Sequence, residues 1–515
     1  MPDVRASRRL LLVLLLALAL RLVNLGERNL WYDEAFAILF ADQGLSDMLY
    51  GTLTPVAGGA ADIHPLLYYV TLDGWMALVG RSVFAVRLLS ALIGVATIGV
   101  IYGLGRDLFD EKVGLAAALV AAVAPFHIQY SQEARMYSLL ALLLAGATWA
   151  FARGWREPGR WRWWLVFGVL AALAMYTQQL AAFYLAALGV VPFLQRKRAP
   201  MIGVLACALV ALILYLPWLV QLPAQWSKVG SYYWISPPTV ARSFLTLRTF
   251  LSVGADMPMP WGVVALFGAI FILIFLPVQI ILRLRRRAAE RQPLLFVLWL
   301  FAAPVTLMWL VSQARPVYLE RALLPSALML YLLLGWLFVR GGLPRPIAVV
   351  VGAVGLALVG VGLVTHYTWN RFPNSPFRQA VASIEEAWQE GDTVLHQSKL
   401  SALPAVYYAP ELDQRFIADA PGSPEDTLAL PTRQVLGVRA VDCVQQVGGA
   451  GRVWFVVFPD VLRQAEAAGR DDVTAALNWL DMHYRREETQ RFNDLDVMLF
   501  AEPDADASAA RCQEA

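Results

Sequence analysis

The chain has 515 residues and a mass of 57.0 kDa, with 58% apolar and 16% charged residues. Ordinary soluble domains carry about 25% charged residues, so the composition excludes a disordered chain and argues against a single soluble globule. Residues 1–371 hold 30 Lys and Arg against 16 Asp and Glu, whereas residues 372–515 hold 12 against 23. This reads as a membrane body, 1–371, followed by an acidic, water-soluble tail, 372–515. The pI near 8.7 is then no nucleic-acid signature, because the basic residues cluster between apolar segments.

A spanning helix needs about 20 mostly apolar residues. The first candidate is 8–25, preceded by Arg5, Arg8 and Arg9. No small-residue cleavage site follows it, so it is expected to stay as an uncleaved span. Further candidates are 84–105, 112–127, 136–153, 161–177, 179–194, 201–221, 260–282, 293–311, 322–339 and 346–366, which makes eleven. His64–Val79 is short and contains Asp73. If it does not cross, 19 of the 30 basic residues of the membrane body fall on one side, as the positive-inside rule requires of a cytoplasmic face. The N-terminus is then cytoplasmic, in a multi-pass protein of the cell (plasma or inner) membrane. Loops 26–83 and 222–259 and the tail are external or periplasmic. Segments 31–41 and 64–79 have amphipathic character suited to the interface.

The tail reads as a small α/β domain. Helices are expected at Phe377–Gln389, Leu400–Tyr408 and Val473–His483, and strands at Thr393–His396, Val453–Phe458 and Val497–Phe500. Cys207 lies in an apolar segment, while Cys443 and Cys512 fall in the tail and pair only if it faces an oxidising compartment.

Ionisable residues near membrane level are costly and mark function by default. Three groups stand at external helix ends: Trp31-Tyr32-Asp33-Glu34, Gln132-Glu133-Ala134-Arg135-Met136-Tyr137, and Arg315 to Arg321; His64-Pro65 adds a weaker fourth. Singly, each has a plainer explanation as a helix-start acid, a snorkelling side chain or an aromatic belt residue. Together, carboxylates and guanidiniums on one side of an apolar bundle suit transfer chemistry on a lipid-linked phosphate. A carboxylate takes the proton of an attacking hydroxyl, and arginines hold a phosphate bidentately. No Walker-type GxxxxGK[ST] loop is present.

The motifs WYDE, HPLLYY, RLLSALIGV, PFHIQYSQEARMYSLL and YLERALLPSAL, in this order over residues 1 to about 370, resemble the GT-C glycosyltransferases. The nearest group is the bacterial relatives of protein O-mannosyltransferases and aminoarabinose transferases. The resemblance implies a polytopic α-helical membrane protein of GT-C fold, with about 11 spanning helices, interfacial helices and an external α/β domain. It implies a glycosyltransferase using a polyprenyl-phosphate sugar donor, with inversion, on a lipid, glycan or protein acceptor. Asp33 would be the base and Glu34 its orienting neighbour. His64, Glu133, Arg135 and Tyr137 would line the cleft, and Arg321, with Arg315, would face the donor phosphate. Some relatives hold a divalent cation and others work without one, so the metal is left open. His-Pro-Leu in place of His-Pro-Pro, and Ala322 after Arg321, depart from the family pattern. The rival classes are a polytopic polysaccharide polymerase or ligase, expected to lack the acidic pair and the tail, and a lipid-linked glycan transporter, expected to show a repeat.

Overall fold

The structure is a computed structural model describing residues 4–57, 59–231, 235–253, 259–286, 288–420, 423, 426–467, 471–508 and 512. Eighteen helices precede the tail among the described residues: α1 (Val4–Leu22), α2 (Tyr32–Ala41), α3 (Gly44–Leu53), α4 (Leu67–Val79), α5 (Val83–Leu108), α6 (Glu111–Val123), α7 (Pro125–Ser131), α8 (Tyr137–Arg156), α9 (Trp161–Thr177), α10 (Ala181–Gly189), α11 (Val191–Leu194), α12 (Arg198–Leu219), α13 (Leu222–Ser231), α14 (Val240–Leu251), α15 (Trp261–Arg286), α16 (Ala288–Ser312), α17 (Leu324–Arg340) and α18 (Arg345–Thr368). A short hairpin, β1 (Pro55–Val56) and β2 (Gly59–Ala60), interrupts the loop between α3 and α4.

Seven of these helices are long and apolar enough to cross a membrane, and α6 with α7 forms an eighth, bent by 63°. The remaining expected spans are also helical: α1 has 19 residues, α9 has 17, and 179–194 is divided into α10 and α11. The expected span 112–127 is therefore a broken one. Pro125 starts α7 without an N–H, and the carbonyls freed at the end of α6 find other donors, as a membrane interior demands. Arg21 Nη1 donates to Ala122 O at 3.1 Å, and His127 Nδ1 lies 3.1 Å from Ala121 O.

The helix ahead of the tail that is most enclosed is α17. With its preceding turn it is 89% buried, against 17% for α18. It approaches α6 at Gly335, where a Cβ would stand 2.5 Å from Ala117 N, and α5 meets α6 at Gly105, where a Cβ would stand 2.8 Å from Gly114 Cα. Small residues let these backbones touch, the usual device where lipid gives no hydrophobic drive to helix association.

The ends of α5, α8, α16 and α17 interlock at one end of the bundle. Arg153 pairs with Asp107 at 2.7 Å, and Arg340 pairs with Glu290 at 3.0 Å and with Asp110. The loop 26–83 lies at the other end, against the tail. The chain on either side of α4 touches that tail: Thr432 Oγ1 reaches Ala61 O at 3.5 Å, and Tyr407 OH donates to Arg81 O at 2.6 Å. A helix of 13 residues whose flanking segments both meet one domain does not cross the bundle, in agreement with the expected non-crossing of 64–79.

The tail carries α19 (Phe377–Ala387), β3 (Thr393–His396), α20 (Lys399–Tyr408), β4 (Gln414–Ile417), α21 (Leu430–Leu436), β5 (Arg439–Val441), β6 (Arg452–Val457), α22 (Pro459–Ala467), α23 (Asp471–His483), β7 (Arg485–Phe492) and β8 (Leu495–Ala501). Its sheet runs β5-β4-β3-β6-β8-β7, with β5 to β6 parallel and β8 and β7 antiparallel. Alternate residues of β6 face opposite layers. Trp454 and Val456 pack with Phe377 and Ile384 of α19, while Phe455 and Val457 pack with Leu462 and Leu480. Cys443 and Cys512 form a disulfide, which settles the pairing left open by the sequence.

Candidate active site

The site lies where α2, the turn 132–136, the 3-10 turn Glu320–Leu323 and the loop before α4 converge beneath the tail. Tyr32 opens α2 after an extended Trp31, placing Asp33 and Glu34 in its first turn, where the helix dipole favours carboxylates. Asp33 is clasped by two guanidiniums: Arg321 Nη1 stands 2.9 Å and Arg135 Nη2 3.8 Å from its Oδ2. Arg135 Nη1 also donates to Asp33 O at 3.1 Å. Asp33 and Arg321 are each 15% exposed, so the pair is enclosed yet reachable. Burial pushes the Asp33 carboxyl up, but the charges of Arg135, Arg321 and His64 outweigh it and hold the carboxyl below its ordinary range. Arg321 lies over the rings of Trp31 and Tyr137, at 5.5 and 5.1 Å from their centroids. Among the described residues its Nε has no hydrogen-bond partner, nor has that of Arg135, so both guanidiniums retain donor capacity.

Glu34 differs from expectation. Its carboxylate accepts two hydrogen bonds from Arg87 of α5, Nε to Oε1 at 2.8 Å and Nη2 to Oε2 at 2.6 Å, and a third from Ala134 N at 2.8 Å. Arg87 spends its remaining donors on the carbonyls of Leu25, Arg28 and Asn29. Glu34 thus fastens the loop after α1 to α5 and the turn 132–136, with both oxygens turned to those partners. It orients the region through Arg87 rather than through contact with Asp33.

Glu133 follows the break after α7. Burial, then the nearby Glu34 carboxylate, raises its carboxyl to about 7, and its Oε2 has no hydrogen-bond partner among the described residues. His64 Nδ1 pairs with Asp62 Oδ1 at 2.8 Å, and the His64 side chain is 28% exposed. Asp62 is held at about 2, where the charge of His64 outweighs burial. Tyr137 is buried at the start of α8, with its ring 5.4 Å from that of Tyr130. Arg315 is not brought to this cluster. It is exposed, makes no ion pair among the described residues, and lies 5.9 Å from the ring of Trp226. Among the described residues no group of three His, Cys, Asp or Glu is placed to hold a metal ion.

Sequence reasoning assigned no role to Arg87 or Asp62. Arg87 sits inside the RLLSALIGV motif, and an arginine one turn into an apolar helix was itself a signal. Asp62 gave none, being one of seven acids in an acidic loop.

The fold and site define a polytopic membrane protein whose charged cleft opens at one end of the bundle under an α/β domain. Residues 63–220 match the sequence model of the family described as Dolichyl-phosphate-mannose-protein mannosyltransferase. No curated protein sequence matches. Among solved structures, ArnT from Cupriavidus metallidurans in the apo state is similar over 97% of this chain and 100% of its own, with TM-score 0.63 and 14% identity. The same protein bound to undecaprenyl phosphate is similar over 96% and 99%, with TM-score 0.58 and 14% identity. At such identity the likeness is one of fold. The chain has the GT-C fold, and the resemblance to GT-C glycosyltransferases read from its motifs is borne out.

Proposed function

We propose that this protein is a membrane glycosyltransferase that moves a sugar from a polyprenyl-phosphate carrier to an acceptor hydroxyl, with inversion at the anomeric carbon. The observation that carries the reading is the clasp of Asp33 between Arg321 and Arg135 in a part-open cleft. Arg321 holds the donor phosphate and stabilises it as it leaves. Asp33 accepts the proton of the attacking hydroxyl. The undecaprenyl phosphate bound by the similar ArnT structure supports a carrier of that class. The basic ends of the bundle face the cytoplasm of a cell membrane, and the cleft and tail face outward, which puts the acceptor outside.

The test is to incubate purified protein with a set of undecaprenyl-phosphate hexoses and pentoses and follow release of undecaprenyl phosphate. Wild type releases it in the presence of acceptor, and Asp33→Asn lowers turnover by about 10²–10⁴-fold, the usual worth of a general base, with donor still bound. Full activity of Asp33→Asn would remove this assignment.

A further inference from the structure

The acidic tail carries one basic recess, away from the cleft. A cavity of about 410 Å³ lies between α21 and the β4–β5 edge of the sheet, lined by Arg415, Arg433 and Arg439; among the described residues no Asp or Glu lines it. The tail has 12 basic residues against 23 acidic ones, so three arginines around one cavity reverse its charge locally. Arg415 and Arg439 are register partners on adjacent strands, an arrangement in which like charges repel. One carboxylate serves both: Asp413 accepts from Arg415 Nη2 at 2.7 Å and from Arg439 Nη1 at 3.1 Å. The Nε of Arg433 is buried and has no hydrogen-bond partner among the described residues. Three guanidiniums with one carboxylate between them form an array that the oxygens of a phosphate complete.

The rim of the recess is apolar and continues onto the membrane body. Leu430 lines the cavity and is exposed, as are Leu45 and Leu49, one turn apart on α3. The two surfaces are joined directly: Tyr50 OH of α3 donates to Gln434 Oε1 at 3.0 Å, and Thr432 Oγ1 donates to Gly51 O at 2.8 Å. The start of α3 is tied to the end of a spanning helix. Asp42 pairs with Arg81 at 2.6 Å, and Arg81 lies two residues ahead of α5, whose Phe84 is exposed. This contact holds α3 near the level at which α5 enters the bilayer, where a helix with exposed leucines lies in the interface plane. A free phosphate in water has no use for the leucines; a phosphate carried on acyl chains does.

We propose that this recess binds the phosphate headgroup of an anionic phospholipid, with Arg415, Arg433 and Arg439 around the phosphate and Leu45, Leu49 and Leu430 against the first methylenes of its chains. The lipid bridges α3 of the membrane body and α21 of the tail, and so helps to fasten the tail over the cleft. The site is separate from Asp33 and its arginines, and it stands whether or not the chain transfers sugar.

The test needs no turnover. The full-length protein is placed in nanodiscs of phosphatidylcholine with a minor share of phosphatidylglycerol, released in mild detergent, and the lipid it retains is read by native mass spectrometry. Wild type retains phosphatidylglycerol in preference to phosphatidylcholine. Arg433→Gln lowers that retention about fivefold, the usual worth of one basic residue at an anionic membrane surface. Arg433→Lys falls between, because lysine keeps the charge and loses the fork. Arg415→Gln, Arg433→Gln and Arg439→Gln combined lower it about 10²-fold, and Leu45→Ser with Leu49→Ser also lowers it, through the chains. Arg485→Gln, on β7 at the opposite edge of the sheet, controls for general charge and leaves retention unchanged. Added inorganic phosphate separates the sources of the anion: a lipid site keeps its phosphatidylglycerol. Retention equal in wild type and the triple variant, an equal loss in Arg485→Gln, or ready displacement by inorganic phosphate overturns the proposal.

Discussion

The buried pair of Glu34 and Arg87 offers the sharpest test of how this end of the bundle is held. Arg87 is 3% exposed and Glu34 0%. Every donor that Arg87 is seen to use is directed at Glu34 or at the carbonyls of Leu25, Arg28 and Asn29, at 2.6–3.1 Å. Arg87→Met keeps most of the apolar stem and removes the fork. It strands a carboxylate with only Ala134 N for company and leaves the carbonyls of Leu25 and Arg28 without their donor, while Asn29 O keeps Asn374 Nδ2 at 3.1 Å. Removing one partner of a buried ion pair costs about 3–5 kcal/mol, and an orphaned buried carbonyl adds up to about 1–3 kcal/mol where water does not reach it. Arg87→Lys recovers the charge but not the two-pronged geometry, and falls between. Thermal unfolding of the purified protein in detergent, followed by loss of the monodisperse peak, reads the order wild type, lysine, methionine. Glu34→Gln belongs in the same series, since its amide cannot accept both hydrogen bonds from Arg87. A methionine variant within about 0.5 kcal/mol of wild type would refute the view that this pair fastens the loop after α1.

Three other outcomes follow from the same geometry. Arg321→Ala weakens capture of a polyprenyl-phosphate sugar more than Arg321→Lys does, because lysine keeps the charge and loses the fork; equal affinity in wild type and alanine variant, measured by donor titration, moves the phosphate elsewhere. Glu133→Gln removes one contribution to the pH dependence of stability. A carboxyl raised to about 7 in the fold and ionising near 4.3 in the unfolded chain makes wild type lose stability as pH rises through that window, so the change in melting temperature from pH 5 to pH 8 is more favourable in the glutamine variant than in wild type. On a background lacking native cysteines, Glu27→Cys reacts with an impermeant thiol reagent in intact cells and Glu157→Cys does not; the reverse result inverts the proposed orientation.

Much of the fold was legible because membrane helices are written in composition. Long apolar runs gave the positions of the spans, and basic residues grouped their ends. The break at Pro125 was not read, because the run between Lys112 and His127 is apolar, and what tolerates the break is Arg21, arriving from α1, together with His127 folding back on Ala121 O. In the tail, β6 and β8 were visible as buried apolar runs. The edge strand β7 was missed because its sequence, RREETQRF, is mostly exposed and charged, the composition that keeps a sheet edge from pairing with another chain. The short β4 and β5 carry arginines and a glutamine among their few residues.

The site shows the same division at finer scale. Residue types at the helix ends expected to be external identified Asp33, Arg135 and Arg321 as candidates, and the fold does gather them. Two adjacent acids in the sequence suggested two acids acting together, and here helix geometry decides otherwise. Successive residues on a helix point about 100° apart, so neighbours at i and i+1 do not face each other. With Tyr32 opening α2, Asp33 turns to the cleft and its two arginines, and Glu34 turns inward to Arg87 and Ala134 N. The pair therefore works as two separate attachments: one carboxylate left reachable for a substrate, the other consumed in holding the helix that presents it. Arg87, at 2.6 Å from Glu34, is part of the reason Asp33 sits where Arg321 reaches it, even though Arg87 touches neither.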